Sequence, residues 1–294
     1  MADRIVNRCA GAHLLQDFPG ELDLFGCVIA SVLPRLLWVH QRIIQGMRDE
    51  IITRLLQVNS EFYQTFADHF SRTRERLQPG VLQALKNIPS EAWILDLGCG
   101  NGELALEWLS RDPAGRYVGV DSSPLLLEIA REKVQDRRVS FHVLDLADPE
   151  WLEMLEAELA FPLRERIDRV LSFAVLHHLP DAALRKRLAL QVHRLLNESG
   201  RWIHSNWNFL ASDRLRARIL PWETINLTDD DVADGDYLLD WRRGGYGLRY
   251  VHHFTPSELE TLAGETGFTV IDSFHSDGEG GRLGLYQVWE KESS

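Results

Sequence analysis

The chain has 294 residues, of which 45% are hydrophobic and 26% are charged. This balance is ordinary for a globular protein and excludes a largely disordered or fibrous chain, and the length fits one large domain or two small ones. A formal net charge of −12 argues against indiscriminate binding to nucleic acid, because the phosphate backbone requires a basic footprint, but it leaves room for a local arginine patch.

Cysteine usage and hydropathy indicate the cellular compartment. The three cysteines, Cys9, Cys27 and Cys99, have no C-x-x-C spacing, so they predict neither a disulfide framework nor a zinc knuckle. The long apolar stretch at residues 24–39 is too short for a bilayer span and contains a proline and an arginine. We therefore expect a cytoplasmic protein without a membrane-spanning segment.

The first 46 residues differ in texture from the rest of the chain. Neither a helical period nor a strand alternation persists in them, and no capping signal opens an element. We interpret residues 1–46 as a mobile extension or as sequence upstream of a native start at Met47. The remainder, residues 47–294, is expected to form a single domain.

An amphipathic helix is predicted from Met47 onward, with Asn59 or Ser60 as its candidate N-cap. Three phenylalanines spaced four residues apart mark its apolar face, namely Phe62, Phe66 and Phe70.

From residue 92 onward, short β-rich runs alternate with helical ones, which is typical of a parallel sheet covered on both faces. Seven strands are predicted, at Trp93–Leu97, Tyr117–Val120, Val139–Leu144, Arg169–Phe173, Trp202–Ser205, Phe268–Ser273 and Leu285–Glu290. Ser123-Pro124 and Thr255-Pro256 each supply an N-cap followed by a proline at the first helical position. The predicted fold class is therefore α/β, with a doubly wound sheet of seven strands.

The alternation breaks between residues 208 and 253, a region rich in Asp, Arg and Trp with a turn-prone stretch at residues 228–236. We interpret it as an insertion after the fifth strand. It follows the carboxyl end of a strand, where open α/β sheets bind their ligands, so it is a candidate lid over a substrate. A solvated connection without a catalytic part is the alternative.

A glycine-rich turn follows the first predicted strand. The sequence DLGCGNG places Asp96 at the strand end and Gly98, Gly100 and Gly102 in the turn, where glycines permit positive φ and close approach of a ligand. A nicotinamide dinucleotide site would require G-x-G-x-x-G, whereas the spacing here is G-x-G-x-G. The Asp96 carboxylate would repel a pyrophosphate but can meet an amino-acid ammonium. Both features favour S-adenosylmethionine.

Acidic residues also end the next two predicted strands. Asp121 follows the glycines by about 20 residues, where an acid can bind two ribose hydroxyls, and Asp145 with Leu146 suits an adenine amino group and ring. The residues expected to contact the cofactor in this region are Asp96, Gly98, Cys99, Gly100, Asn101, Asp121, Ser122, Asp145, Leu146 and Phe173.

In their order and spacing, the blocks DLGCGNG, GVDSS, VLDLAD and SFAVLHHL resemble class I S-adenosylmethionine-dependent methyltransferases over residues 92–207. The resemblance implies a Rossmann-like sheet. Three blocks together resemble the tRNA wobble-uridine methyltransferases that esterify 5-carboxymethyluridine. These blocks are FYQTFADHFSRTRERLQPGVLQAL, SFAVLHHL with the Trp-rich insertion, and GLRYVHHFTPSELETL. The resemblance to that subfamily implies tRNA as the substrate. Eukaryotic members of the subfamily use a small activator subunit, and the sequence does not reveal whether this chain needs one.

By position, the resemblance implies that Tyr63 and Arg74 flank the methionine end of the cofactor, with Arg74 facing its carboxylate. It also implies that His177 lies beside the transferred methyl and that His253 forms another wall of the pocket. A carboxylate acceptor has a pKa of about 4 and is ionised at pH 7, so its attack needs alignment more than proton removal. His177 and His178 would then orient the acceptor rather than act as bases; the alternative is that one of them is packed and hydrogen-bonded in the core.

No metal is predicted, because the adjacent histidines at 252 and 253 project differently and no acid or thiol set completes a site. Arginine clusters at residues 72–76, 214–218 and 242–249, with Trp222 and Trp241, suit phosphates and stacked bases. They can equally be solvated faces, since only four of the 32 basic residues are lysines.

The expected activity is methyl transfer to the carboxylate of a modified wobble uridine in tRNA. Two alternatives stay open: a small-molecule O- or N-methyltransferase with the insertion as its lid, and a partner subunit that binds the cofactor without catalysis.

Overall fold

A seven-stranded sheet organises the part of the chain that the structure, a computed structural model, describes: residues 46–72, 76–278 and 280–292. In chain order the strands are β1 (Trp93–Leu97), β2 (Arg116–Asp121), β3 (Val139–Val143), β4 (Ile167–Phe173), β5 (Leu196–Trp207), β6 (Ile219–Leu220), β7 (Asp236–Trp241), β8 (Gly247–His252), β9 (Phe268–Ser276) and β10 (Gly284–Lys291). The predicted extension at residues 1–46 lies outside the described residues apart from Gly46, as does Arg74.

The central sheet has the strand order β3-β2-β1-β4-β5-β10-β9. Strands β1 to β5 are parallel, and β10 runs antiparallel to both of its neighbours. Each predicted strand is present, so the α/β prediction is confirmed. The fifth strand is longer than expected, because it continues from Leu196 through the glycine at position 200.

The helices are α1 (Asp49–Arg72), α2 (Pro79–Ala84), α3 (Glu103–Leu109), α4 (Pro124–Lys133), α5 (Trp151–Leu159), α6 (Ala182–Leu195), α7 (Asp213–Arg216) and α8 (Pro256–Glu265). Buried residues of α5, α6 and α8 pack on one face of the sheet, and those of α2, α3 and α4 pack on the other. Side chains alternate between the faces of a strand, so Ile94 enters one core and Leu95 the other. Both predicted N-caps form, with Ser123 Oγ accepting from Leu126 N and Thr255 Oγ1 from Glu258 N. No helix among the described residues is long and apolar enough to cross a membrane.

Helix α1 starts ten residues before the predicted N-cap, so the assignment of Asn59 or Ser60 as a cap was wrong. Asp49 and Glu50 occupy the first turn, where acidic side chains favour a helix start. Asn59 instead lies inside the helix, only 6% exposed, and its side chain bonds to other segments of the chain.

The insertion contains a sheet that the sequence analysis did not predict. Strands β6, β7 and β8 pair antiparallel in that order. Helix α1 covers this small sheet: its Leu55 and Val58 belong to the same buried cluster as Leu238 of β7 and Tyr250 of β8. The helix and the insertion therefore form a second layer with its own apolar core.

A buried ionic network joins the small sheet to the helices of the central one. His252 of β8 is 2% exposed, and its Nδ1 lies 2.7 Å from Asp236 Oδ1 while its Nε2 lies 2.8 Å from Glu258 Oε1. Arg185 of α6 approaches Glu258, and the Tyr250 hydroxyl donates to Asp236. Burial lowers the pKa of His252, but the two carboxylate hydrogen bonds outweigh burial and leave that pKa raised. Both ring nitrogens face carboxylate oxygens, which accept hydrogen bonds, so this geometry favours the doubly protonated imidazole.

We predict that His252→Gln destabilises the protein most at low pH. The raised pKa means that the stabilisation by the charged imidazole is fully present below its ordinary value of 6.5 and is lost as pH rises through the folded pKa. Urea unfolding at pH 6 should show a loss of about 3–5 kcal/mol. The difference from the unsubstituted protein should shrink by pH 9. His275→Gln, at an exposed position of β9, is the control; a loss from His252→Gln that is the same at both pH values would contradict a charged imidazole.

Candidate functional site

A cavity of about 420 Å³ opens at the carboxyl edge of the central sheet. Its lining includes residues at or just after the ends of β1, β2, β3 and β4, together with residues of α1. Among the sequence-predicted site residues, those that line it are Tyr63, Asp96, Gly98, Cys99, Gly100, Asn101, Asp121, Ser122, Asp145, Leu146 and Phe173.

The glycine turn after β1 is held close to β2. Gly98 N and Cys99 N both donate to Val120 O, at 2.7 and 3.0 Å. Gly98 has φ +74° and Gly100 has φ +55°, a region that side chains rarely adopt. A Cβ at Gly98 would lie 2.4 Å from Val175 Cγ2, whereas one at Gly100 would meet no protein atom within 4 Å. Since Gly100 lines the cavity, the missing side chain leaves room for a ligand against the backbone.

Asp121, the last residue of β2, is hydrogen-bonded to this turn. Its Oδ2 accepts from Gly100 N and its Oδ1 from Ser123 N, both at 2.9 Å. Burial raises the pKa of Asp121, and the two backbone hydrogen bonds oppose that rise. A carboxylate has about four lone-pair positions, so the fixed group can accept further hydrogen bonds from a ligand such as a diol.

Asp96 is the most deeply buried carboxyl group of the cavity lining, at 2% exposure. The Tyr117 hydroxyl donates to its Oδ2. Burial raises the pKa of Asp96 to about 7; the Tyr117 hydrogen bond lowers the pKa and the charge of Asp121 raises it further. The group therefore titrates near neutral pH, and a cationic ligand would favour its ionised form.

The end of β3 offers a different chemistry. Asp145 is exposed, and its Oδ1 accepts from Ala147 N at 2.9 Å. Leu146 beside it is 8% exposed, and Val143, which also lines the cavity, is 40% exposed. An apolar surface next to a hydrogen-bond acceptor suits a flat aromatic base that carries an amino group.

Helix α1 and the turn after β4 form the opposite wall. The Tyr63 hydroxyl lies 2.8 Å from His178 Nε2, and His178 Nδ1 lies 3.1 Å from the Tyr250 carbonyl oxygen. A carbonyl can only accept, so Nδ1 carries the proton and, in a neutral ring, Nε2 accepts from the tyrosine. Asn59 adds to this wall: its Nδ2 donates to the His178 carbonyl, and its Oδ1 accepts from Tyr250 N.

Of the histidines that the sequence singled out, His178 lines the cavity, whereas His177 and His253 do not. His177 is 1% exposed, its Nδ1 accepts from Trp207 N at 3.3 Å, and its ring packs 4.4 Å from that of His178. His253 is half-buried with its Nε2 3.0 Å from Asn208 Oδ1. Neither lines the cavity, so their direct roles stay predictions.

Basic side chains near the cavity and candidate metal ligands can be located only among the described residues. Arg74, expected at the methionine carboxylate, is outside them, while Arg76 lines the cavity. Within residues 46–72, 76–278 and 280–292, no group of three or more His, Cys, Asp and Glu side chains is arranged to hold a metal ion.

Sequence reasoning missed Asn59 in particular, because a polar residue on an amphipathic helix is read first as a cap. The available signal was its helical spacing: Asn59 follows the buried Leu55 by four residues and precedes Tyr63 by four. The β7–β8 hairpin was also missed, although two β-rich runs flank the glycine-containing segment RRGGYG.

The family model described as a methyltransferase domain matches residues 69–273. A tRNA (carboxymethyluridine(34)-5-O)-methyltransferase of Arabidopsis thaliana is 33% identical over 49% of this chain, and a trans-aconitate 2-methyltransferase of Variovorax paradoxus is 26% identical over 70% of it. The chain covers 31% of the Arabidopsis protein and 85% of the Variovorax one.

Solved structures share the fold. A 1,6-didemethyltoxoflavin-N1-methyltransferase of Burkholderia thailandensis, crystallised with S-adenosylhomocysteine, superposes with a TM-score of 0.53 at 20% identity. The alignment covers 82% of this chain and 88% of that one.

We predict that Gly98→Ala and Gly100→Ala differ in their effect on stability. The left-handed backbone alone costs an alanine about 1–2 kcal/mol at either position. At Gly98 the contact with Val175 adds about 1–3 kcal/mol of overpacking. Urea unfolding of the two variants measures the difference. Equal losses would mean that Val175 does not pack against the turn.

Proposed function

The chain belongs to the methyltransferase-domain family, and we propose that it transfers the methyl group of S-adenosylmethionine to the carboxylate of 5-carboxymethyluridine at the wobble position of tRNA. It is an S-adenosylmethionine-dependent methyltransferase of Rossmann-like, class I fold. The tRNA substrate is the part that is proposed.

One observation carries the proposal most directly. The three sequence blocks that resemble the wobble-uridine subfamily are far apart in the chain, yet residues of the first two line one wall of the cavity and the third hydrogen-bonds to that wall through a backbone carbonyl. Tyr63 comes from the first block, His178 from the second and Tyr250 from the third, and they form a hydrogen-bonded chain. The resemblance outside the cofactor motifs therefore concentrates where an acceptor would lie.

The cavity fits the cofactor. When bound, S-adenosylmethionine supplies a methyl group made electrophilic by its sulfonium. The open space at Gly100 would admit the ligand, and Asp121, which is fixed by Gly100 N, would accept hydrogen bonds from the ribose hydroxyls. Asp145 and Leu146 would hold the adenine, and Asp96 would pair with the ammonium. Arg74 is proposed to bind the methionine carboxylate.

A carboxylate acceptor does not need a general base in the cavity wall. The carboxyl group is ionised at neutral pH, so the protein has to align it with the methyl group and keep water away. The Tyr63–His178–Tyr250 chain fixes the tyrosine ring against the cavity and keeps the His178 Nδ1 proton on a carbonyl. We assign this wall to positioning the acceptor rather than to proton removal.

A second candidate function is esterification of a small carboxylic acid. The trans-aconitate methyltransferase supports it, because the chain covers 85% of that protein and trans-aconitate carries carboxylates. Both candidates share the chemistry of a carboxylate attacking a sulfonium methyl.

The decisive test uses methyl-labelled S-adenosylmethionine with tRNA that carries either 5-carboxymethyluridine or plain uridine at the wobble position, and separately with trans-aconitate. We expect nuclease-sensitive label only with the carboxymethylated tRNA. Mild alkali should release that label as methanol, because methyl esters hydrolyse readily whereas ring and N-methyl groups do not. Label confined to low-mass ester would favour the second candidate, and alkali-stable label would contradict both.

We predict that Asp121→Ala weakens binding of S-adenosylhomocysteine by about 1–3 kcal/mol, because charge-assisted hydrogen bonds to the ribose are lost. Titration calorimetry measures the affinity, and Asp136→Ala in the loop before β3 is the control. Unchanged affinity of Asp121→Ala would remove the ribose assignment.

We also predict that affinity for S-adenosylhomocysteine falls as pH drops below about 7, by at most tenfold per unit. The pKa of Asp96 is raised to about 7, so acidification protonates the carboxylate that pairs with the ammonium. Calorimetry between about pH 5.5 and 7.5 measures the slope, and Asp96→Asn should abolish it. A slope that persists in Asp96→Asn must come from another group.

A further inference from the structure

The β7–β8 hairpin ends in a solvent-facing turn, residues 242–246, which we call the hairpin tip. Its sequence is RRGGY, and all five residues are exposed. Tyr246 is 63% exposed, the largest value among the exposed large hydrophobic side chains of the described residues. Such a basic and aromatic turn is notable in a chain with a net charge of −12.

The hairpin tip is exposed, whereas other arginine and tryptophan residues near it in the sequence are buried. Arg249 is 7% exposed, and its guanidinium lies 4.8 to 5.0 Å from the ring centres of Phe62, Trp207 and Trp241. Trp222 is 6% exposed. These two residues serve the interior, so Arg242, Arg243 and Tyr246 are the members of this region that can reach a partner.

The tip is held firmly. Asp240 is completely buried, and its carboxylate pairs with Arg242 Nε and lies 3.7 Å from Arg218 Nη1. That bond uses one of the five N–H donors of Arg242, whose side chain remains 66% exposed. Gly245 and Gly247 pack so closely on Phe66 of α1 that an added Cβ would lie 3.0 Å or less from its ring. The arginines are therefore presented from a fixed base.

The tip also lies close to the cavity. Tyr63 lines the cavity and its ring centre is 5.1 Å from that of Phe62, which is 5.5 Å from that of Trp241. Trp241 immediately precedes Arg242. An RNA strand with one nucleotide in the cavity could therefore place the neighbouring nucleotides on the hairpin tip.

We propose that the hairpin tip binds the RNA strand on either side of the target nucleotide, with Arg242 and Arg243 on phosphates and Tyr246 stacked on a base. Guanidinium groups bind phosphates with high geometric specificity, and aromatic side chains stack on any base. This assignment rests on the proposed tRNA substrate. An acidic protein would also meet the arginines, but the exposed tyrosine in the same turn and the proximity to the cavity favour a nucleic acid strand.

The test measures RNA binding separately from methylation. A fluorescently labelled anticodon stem–loop RNA with 5-carboxymethyluridine at the wobble position is titrated with the full chain, its Arg242→Gln/Arg243→Gln variant and a control, Arg164→Gln/Arg166→Gln. The control changes two exposed arginines before β4, at the opposite edge of the sheet. We expect roughly tenfold weaker binding by the tip variant alone, and a salt dependence reduced by about two phosphate contacts between about 50 and 200 mM KCl.

Tyr246 supplies an independent arm. Tyr246→Leu should weaken RNA binding about fivefold, whereas Tyr246→Phe should retain the affinity, because stacking needs the ring and not the hydroxyl. All these variants should bind S-adenosylhomocysteine as the unsubstituted chain does, which shows that they are folded.

The outcomes separate the two proposals. Tip-specific loss of RNA binding supports the hairpin assignment whether or not the RNA is methylated, and absent methylation would count only against the proposed activity. Equal affinity of the tip variant, or an equal loss in the control, would overturn the assignment while labelled RNA could still uphold the activity. No RNA binding by the unsubstituted chain, or displacement of RNA by polyglutamate as effectively as by unlabelled RNA, would also overturn it.

Discussion

The common direction of β1, β2 and β3 is the constraint on which the site depends. Parallel neighbours end at the same edge of a sheet, so Asp96, Asp121 and Asp145 converge although about 25 residues separate each from the next. The hydrogen bond from Gly100 N to Asp121 then fixes the turn after β1 to the end of β2. The convergence of three carboxyl groups at this edge follows from strand topology.

A second layer adds a wall to the cavity at that edge. Helix α1 turns its apolar side chains to the small sheet of the insertion and sets Tyr63 on the cavity. Asn59 bonds both to the turn after β4 and to β8, so one buried amide links three segments that are distant in sequence. Buried polar groups must be satisfied, and this requirement keeps the helix in one register against the insertion.

The sequence predicted the central sheet well because its signals are local. Strand periodicity, N-caps at Ser123 and Thr255, and glycines that need positive φ are all readable from neighbouring residues. The second layer depends on long-range contacts: no local pattern tells that Asn59 bonds to Tyr250 or that Arg249 lies among three aromatic rings. The same limit explains the histidines. Adjacent His177 and His178 look alike in sequence, and only the turn after β4 decides that His178 lines the cavity while His177 accepts from Trp207.

Because α1 contributes both to the core of the insertion and to the cavity wall, the protein has no clean border between the central sheet and the insertion. Exchanging the insertion for that of a relative would require exchanging the helix with it. In a chimaera that exchanges only the segment after β5, Leu55 and Val58 of α1 would pack against a foreign sheet. Asn59 would lose its hydrogen-bond partner on β8. The modular unit for engineering is discontinuous: helix α1 together with residues 208–253.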